Sequence, residues 1–137
     1  MNIGFALSIG LFIVSCFLPA LEWKNQMKSV AVDVMTGARA LAVGWSGIFA
    51  LVMGWYANVF WLLAMILGWL RRPTASMIAG WIAVALACTV FFDIGRDLPG
   101  DEGGVTRTMI SRLLPGFFVW MASLLIVPLV QLLPRFR

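Results

Sequence analysis

The sequence predicts an all-α membrane protein, a compact bundle of four to five transmembrane helices with a helical break near Asn58. Three observations predict it. Hydrophobic residues make up 62% of the 137-residue chain and charged residues only 12%, with a mean hydropathy of +0.97, where soluble domains carry about 25% charged residues. Ten basic and six acidic residues are too few for a polar shell, so a bilayer must solvate most of the surface. The apolar runs between the charge clusters are also close in length to the ~20 helical residues that cross a hydrocarbon core of about 30 Å.

The whole chain, 1–137, reads as a single transmembrane helical domain. Residues 3–20 form the first expected helix. Ile13-Val14-Ser15-Cys16 resembles a lipidation signal, but no Lys or Arg precedes the apolar run, as such signals require, and apolar residues continue past Cys16. The segment therefore reads as a retained helix. Residues 41–70 carry no charge and, at 1.5 Å per residue, are too long for one perpendicular span. A turn near Asn58 divides them into helices over about 40–55 and 58–71. Asn is a strong N-cap, and Trp55, Tyr56 and Trp61 are residue types enriched at the membrane–water interface. Residues 74–92 and 113–133 form the last two expected helices, the latter kinked at Pro128, which removes a backbone donor.

Charge placement discriminates between one helix and two in the long block. The hairpin puts seven Lys and Arg on one side and three on the other, whereas a continuous helix gives six and four. Cytoplasmic loops are the Lys/Arg-rich ones. The cleaner split favours five helices, with the N-terminus outside, the C-terminus inside, and residues 21–39 on the face opposite the loop 93–112.

That loop is the longest charged segment and the expected partner-binding surface, through Asp93, Arg96, Asp97, Asp101, Glu102 and Arg107. Its interleaved signs read as salt bridging rather than as a calcium site, which wants several oxygen ligands; no metal and no cofactor are expected. Val30, Val32 and Val34 alternate around Asp33, the period of an extended element. Ala75, Ala79, Ala83 and Ala87 recur every four residues as a small-residue stripe that lets helix backbones approach closely in lipid. The stripe reads as packing within the bundle, with a homo-oligomer seam as the sharper alternative.

Composition and motifs also exclude. Basic residues scattered between apolar runs do not form a nucleic-acid surface. Cys16 and Cys88 lie inside apolar segments with neither disulfide nor metal spacing. No ionisable residue falls at the centre of an expected span, the usual mark of proton relays and ion-coupled transport. The chain has no histidine, and Ser8, Ser15, Ser46 and Ser123 have no neighbouring base to activate them. An enzyme is therefore not expected.

The series LPA (18–20), TGARALAVGW (36–45), WYAN (55–58), DEGG (101–104) and GFFVWMAS (116–123) resembles a group of small, uncharacterised bacterial inner-membrane proteins. In that group WYAN is commonly followed by Pro, where this chain has Val59. The resemblance implies a multi-pass location in the bacterial cytoplasmic membrane and brings no activity with it. The expected function is accordingly non-catalytic: a membrane protein that binds a protein partner, such as an immunity protein against a bacteriocin or toxin, or a membrane subunit of a defence system. An oligomeric pore or holin-like channel is the alternative, and a small transporter the third.

Overall fold

The computed structural model describes residues 3–25, 32–99 and 107–133. Helix α1 (Ile3–Phe17) runs into strand β1 (Pro19–Asn25), followed by β2 (Val32–Thr36) and the short helix α2 (Gly37–Val43). Two 3-10 segments, Gly44–Ala50 and Gly54–Tyr56, lead into α3 (Ala57–Trp69). Then come α4 (Pro73–Cys88), α5 (Val90–Asp93), β3 (Leu98–Pro99), β4 (Arg107–Leu113) and α6 (Pro115–Leu132). Prolines set several of these boundaries. Pro73 and Pro115 occupy the first turns of α4 and α6, where a missing N–H costs nothing, and Pro19 follows the end of α1.

The expected all-helical bundle of four to five transmembrane helices is not what forms. Among the described residues only Pro73–Asp93 and Pro115–Leu132 are long and apolar enough to cross a membrane. The charged segments fold into a four-stranded sheet of order β2-β1-β4-β3, its last member two residues long. The chain is thus a helical body capped at one end by an antiparallel sheet.

Residues 40–55 are the largest departure from expectation. Gly44, Gly47 and Gly54 interrupt what the apolar run disguises as one helix, and Leu51 takes a left-handed conformation at φ 58°. The Trp55 ring lies directly over Gly44, where any Cβ would collide with it, and the indole N–H donates to the Leu41 carbonyl at 2.8 Å. The segment folds back on itself instead of spanning. Helix α3 then starts at Ala57, but Asn58 does not cap it. The Asn58 amide donates to the Trp55 carbonyl at 2.8 Å and its oxygen accepts from the Trp120 indole at 2.9 Å.

Four helices form the body. The α1 N-terminus meets the α6 C-terminus, with Gly4 against Val130, and Gly68 near the end of α3 faces Phe5 and Gln131. Helices α1 and α4 therefore run toward the sheet, and α3 and α6 away from it. Two buried clusters hold them together. Phe5, Ala64, Ala79 and Val127 lie toward the turn end, and Ala57, Ala83, Ala87 and Leu124 toward the sheet. At the α4–α6 crossing, a Cβ on Gly80 would sit 2.9 Å from the Pro128 ring, so the proline kink nests against a residue that has no side chain.

Strand β1 pairs with both β2 and β4, with Trp23 opposite Asp33 on one side and Ile110 on the other. This pairing overturns the expected sidedness. Strands β1 and β2, α2, and the described residues from Ile94 to Leu113 share one end of the molecule, and the α3–α4 turn with Arg71 and Arg72 occupies the other.

Candidate functional site

The described charges are concentrated at the sheet end. Glu22, Lys24, Asp33, Arg39, Asp93, Arg96, Asp97, Arg107 and Arg112 lie there, and only Arg71 and Arg72 lie at the turn. Asp93 closes α5 with its side chain 5% exposed, and Arg96 reaches back to it at 3.1 Å. The second guanidinium nitrogen of Arg96 donates to the Ala50 carbonyl at 3.3 Å. Gly95 makes the reversal possible at φ +75°, a value that glycine adopts without strain, and its N–H donates to the Ile110 carbonyl at 2.9 Å. Arg96 and Gly95 therefore fasten the end of α5 to the 3-10 segment and to β4.

Further out the pairs are exposed. Arg107 and Asp97 lie 3.5 Å apart and Arg39 and Asp33 2.9 Å apart, both in water-accessible positions. Exposed pairs contribute about 0–1 kcal/mol, so these charges are available to a partner at little cost to the fold. The Ser111 hydroxyl donates to the Glu22 carboxylate at 2.8 Å across β4 and β1. The Trp23 indole N–H is buried with no partner. Of the six residues expected to bind a partner, Asp93 and Arg96 form a structural tie, Asp97 and Arg107 form a surface pair, and Asp101 and Glu102 lie outside the described residues. Strand β2 is one of the sheet's two outer strands, and its Val32, Asp33 and Val34 are exposed.

The residues singled out on the helices are turned inward. Ala79, Ala83 and Ala87 are buried and Ala75 is half-buried, so the stripe is used within one chain. Trp61 stacks on Phe12 with ring centroids 4.4 Å apart and donates to the Ser8 hydroxyl at 2.9 Å. Tyr56 donates to the Trp45 carbonyl at 3.2 Å. Sequence reasoning missed the polar ties across the helix seams. The Ser8 hydroxyl donates to the Ser123 carbonyl at 2.7 Å. Ser76 donates to the Ala64 carbonyl at 2.7 Å and accepts from the Gln131 amide at 3.2 Å. Ser76 and Gln131 were detectable as polar residues within otherwise apolar runs.

The serine hydroxyls have settled roles. Those of Ser8, Ser15, Ser46, Ser76 and Ser123 all donate to backbone carbonyls, so among the described serines only Ser111 meets a carboxylate, that of Glu22. No three His, Cys, Asp or Glu converge on a common point among the described residues. Among the described residues the arrangement instead offers a charged sheet whose edge strand β2 pairs on one side only. No protein-family model, curated protein or solved structure matches the chain, so function is read from this geometry.

Proposed function

We propose that the chain is a non-catalytic membrane protein whose helical body sits in a lipid bilayer and whose sheet end binds a protein partner. One observation carries the reading: large apolar side chains are exposed along the helical body, including Leu7, Leu62, Ile78 and Leu129, while the described charges gather at its two ends. Exposed apolar surface on that scale needs a covering, and lipid covers every helix at once. On this reading α4–α5 and α6 are the full-length spans, with the shorter α1 and α3 packed beside them.

Partner binding follows from where specificity can reside. Lipid-facing side chains discriminate little, whereas exposed charges steer encounter and select partners. Strand β2 adds a hydrogen-bonding edge of the kind that accepts a further strand. A bacteriocin immunity protein or a membrane subunit of a defence system is the biological form this reading favours. A pore is less well supported, because the alanine stripe that would form its seam is consumed inside one chain.

The test is photo-crosslinking in cells. A photoreactive residue at Val34 on β2 is expected to give one discrete protein adduct, and the same residue at Ile78 on α4 none. Reversing Asp33, Asp97 and Arg107 together should abolish the adduct while the chain still accumulates in an alkali-resistant membrane fraction. A discrete adduct only at Ile78 would move the partner surface to the helices, and extraction of the chain by alkali would remove the membrane from the proposal.

A further inference from the structure

We propose that residues 44–53 are an interfacial anchor, lying along one membrane–water boundary with their apolar side chains in the outer acyl region of that leaflet. This inference rests on the membrane reading above. The segment exposes Trp45 (56%), Phe49 (83%) and Leu51 (70%), with Met53 beside them. It belongs to the uncharged run between Arg39 and Arg71, yet it cannot cross a bilayer. Its one helical piece, Gly44–Ala50, is seven residues long, and the pieces on either side of it are seven and three, drawn together by the bond from Trp55 to Leu41.

The direction in which its polar atoms point identifies lipid as the occupant. The Val52 N–H donates to the Gly47 carbonyl at 2.8 Å and the Tyr56 N–H to the Met53 carbonyl at 3.0 Å. The Ser46 hydroxyl donates to the Val43 carbonyl at 2.8 Å, the Tyr56 hydroxyl is spent on the Trp45 carbonyl, and the Ala50 carbonyl accepts from Arg96. Several of the segment's polar groups are thus satisfied within the protein while its large apolar side chains are exposed. An apolar medium favours that arrangement, because unsatisfied polar groups are penalised most where water is absent.

Two further features favour a leaflet over a protein partner. Exposed apolar side chains are not confined to the segment. Phe17 at the end of α1 and Phe92 in α5 are exposed too, on elements that touch the chain just before and just after it. Gly37 at the start of α2 lies against Ser15, and Gly54 against Val90. A protein partner covers one patch, whereas a leaflet covers a perimeter. The segment is also flanked by ion pairs, Arg39 with Asp33 before it and Arg96 with Asp93, Arg96 being bonded to its Ala50 carbonyl as well. An apolar foot with a charged, paired rim matches acyl chains beneath a polar headgroup layer.

Depth-dependent quenching in vesicles tests this. In a chain carrying Cys16→Ala and Cys88→Ala, single substitutions Phe49→Cys, Leu51→Cys and Ile82→Cys are labelled with an environment-sensitive fluorophore. The protein is reconstituted in equal parts of phosphatidylcholine and phosphatidylglycerol. Nitroxide lipids carry the quencher either near the headgroup or deep in the acyl chain. Positions 49 and 51 should be quenched more strongly by the shallow nitroxide, and position 82, midway along α4, more strongly by the deep one. Deep quenching at 49 and 51 would mean that the segment crosses the bilayer, and would overturn the inference. Quenching at 82 but at neither 49 nor 51 would overturn it as well, placing the segment against water or protein while leaving the embedded body intact. No lipid quenching at 82 would remove the membrane reading itself. Phe49 and Leu51 are independent exposed positions, so a folding failure in one leaves the other to decide.

Discussion

At the scale of single residues, Arg71 sits where glycine belongs. Helix α3 closes with the Arg72 N–H donating to the Leu67 carbonyl at 2.9 Å and the Arg71 N–H to the Gly68 carbonyl at 3.1 Å. This is the Schellman pattern, whose penultimate donor adopts the left-handed region; Arg71 does so at φ 55°. A side chain there costs roughly 1 kcal/mol relative to glycine. Arg71→Gly should therefore raise the unfolding midpoint in detergent by an amount equivalent to about 1 kcal/mol, and a lower midpoint would mean that the guanidinium holds something beyond the turn. Ser76 gives the opposite expectation. It is fully buried and links Ala64 on α3 to Gln131 on α6. Ser76→Ala strands a buried amide, which typically costs about 1–3 kcal/mol. Adding Gln131→Leu should recover part of that loss, and strictly additive losses would show that the two residues are not coupled.

At the scale of elements, α4 packs by its small face. Ala83 is buried between α3 and α6, whereas Ala85, two residues along the same helix, is exposed. Ala83→Leu overfills the seam and should lower stability in detergent by about 1–3 kcal/mol, while Ala85→Leu should leave it nearly unchanged. Equal effects at both positions would show that the stripe does not set the helix spacing. The alanine spacing was readable in the sequence because a helix repeats its face locally. Strand β2 showed in the alternation of Val32 and Val34 around Asp33, but its partners were hidden. Leu21 and Trp23 alternate with Glu22 and Lys24, but the charges made the segment read as a loop. The partner of β1 is β4, with Ser111 bonded to Glu22 across 89 positions of chain, a distance that no local period reports. The run 41–70 misled in the other direction. Its lack of charge is real, but apolarity alone does not distinguish a span from a folded segment punctuated by Gly44, Gly47 and Gly54. In the charged loop, the expected salt bridging is visible as Asp93 with Arg96 and Asp97 with Arg107. The burial of Asp93 accompanies the ties of Gly95 to β4 and of Arg96 to Ala50, which only the fold supplies.

At the scale of the whole molecule, the β1–β4 pairing fixes which loops share a side. The seven-to-three charge split held only if residues 21–39 and 71–73 lay together. In the structure Lys24 and Arg72 are at opposite ends. The sheet end mixes five described basic residues (Lys24, Arg39, Arg96, Arg107, Arg112) with four acids (Glu22, Asp33, Asp93, Asp97), whereas the described turn end holds Arg71 and Arg72 with no acid. Short turns carrying Lys or Arg are the ones retained in the cytoplasm, and the turn between α3 and α4 is three residues, Leu70, Arg71 and Arg72. The expected orientation is therefore turn inside and sheet outside. In a chain without Cys16 and Cys88, Lys24→Cys should react with an impermeant thiol reagent in intact spheroplasts of a bacterial host, and Arg72→Cys only after permeabilisation. The reverse pattern would keep the fold and turn the partner-binding sheet toward the cytoplasm. Labelling of both positions in intact cells would mean that the helical body does not separate two compartments, and the sheet would then have to be sought as part of a surface-bound protein.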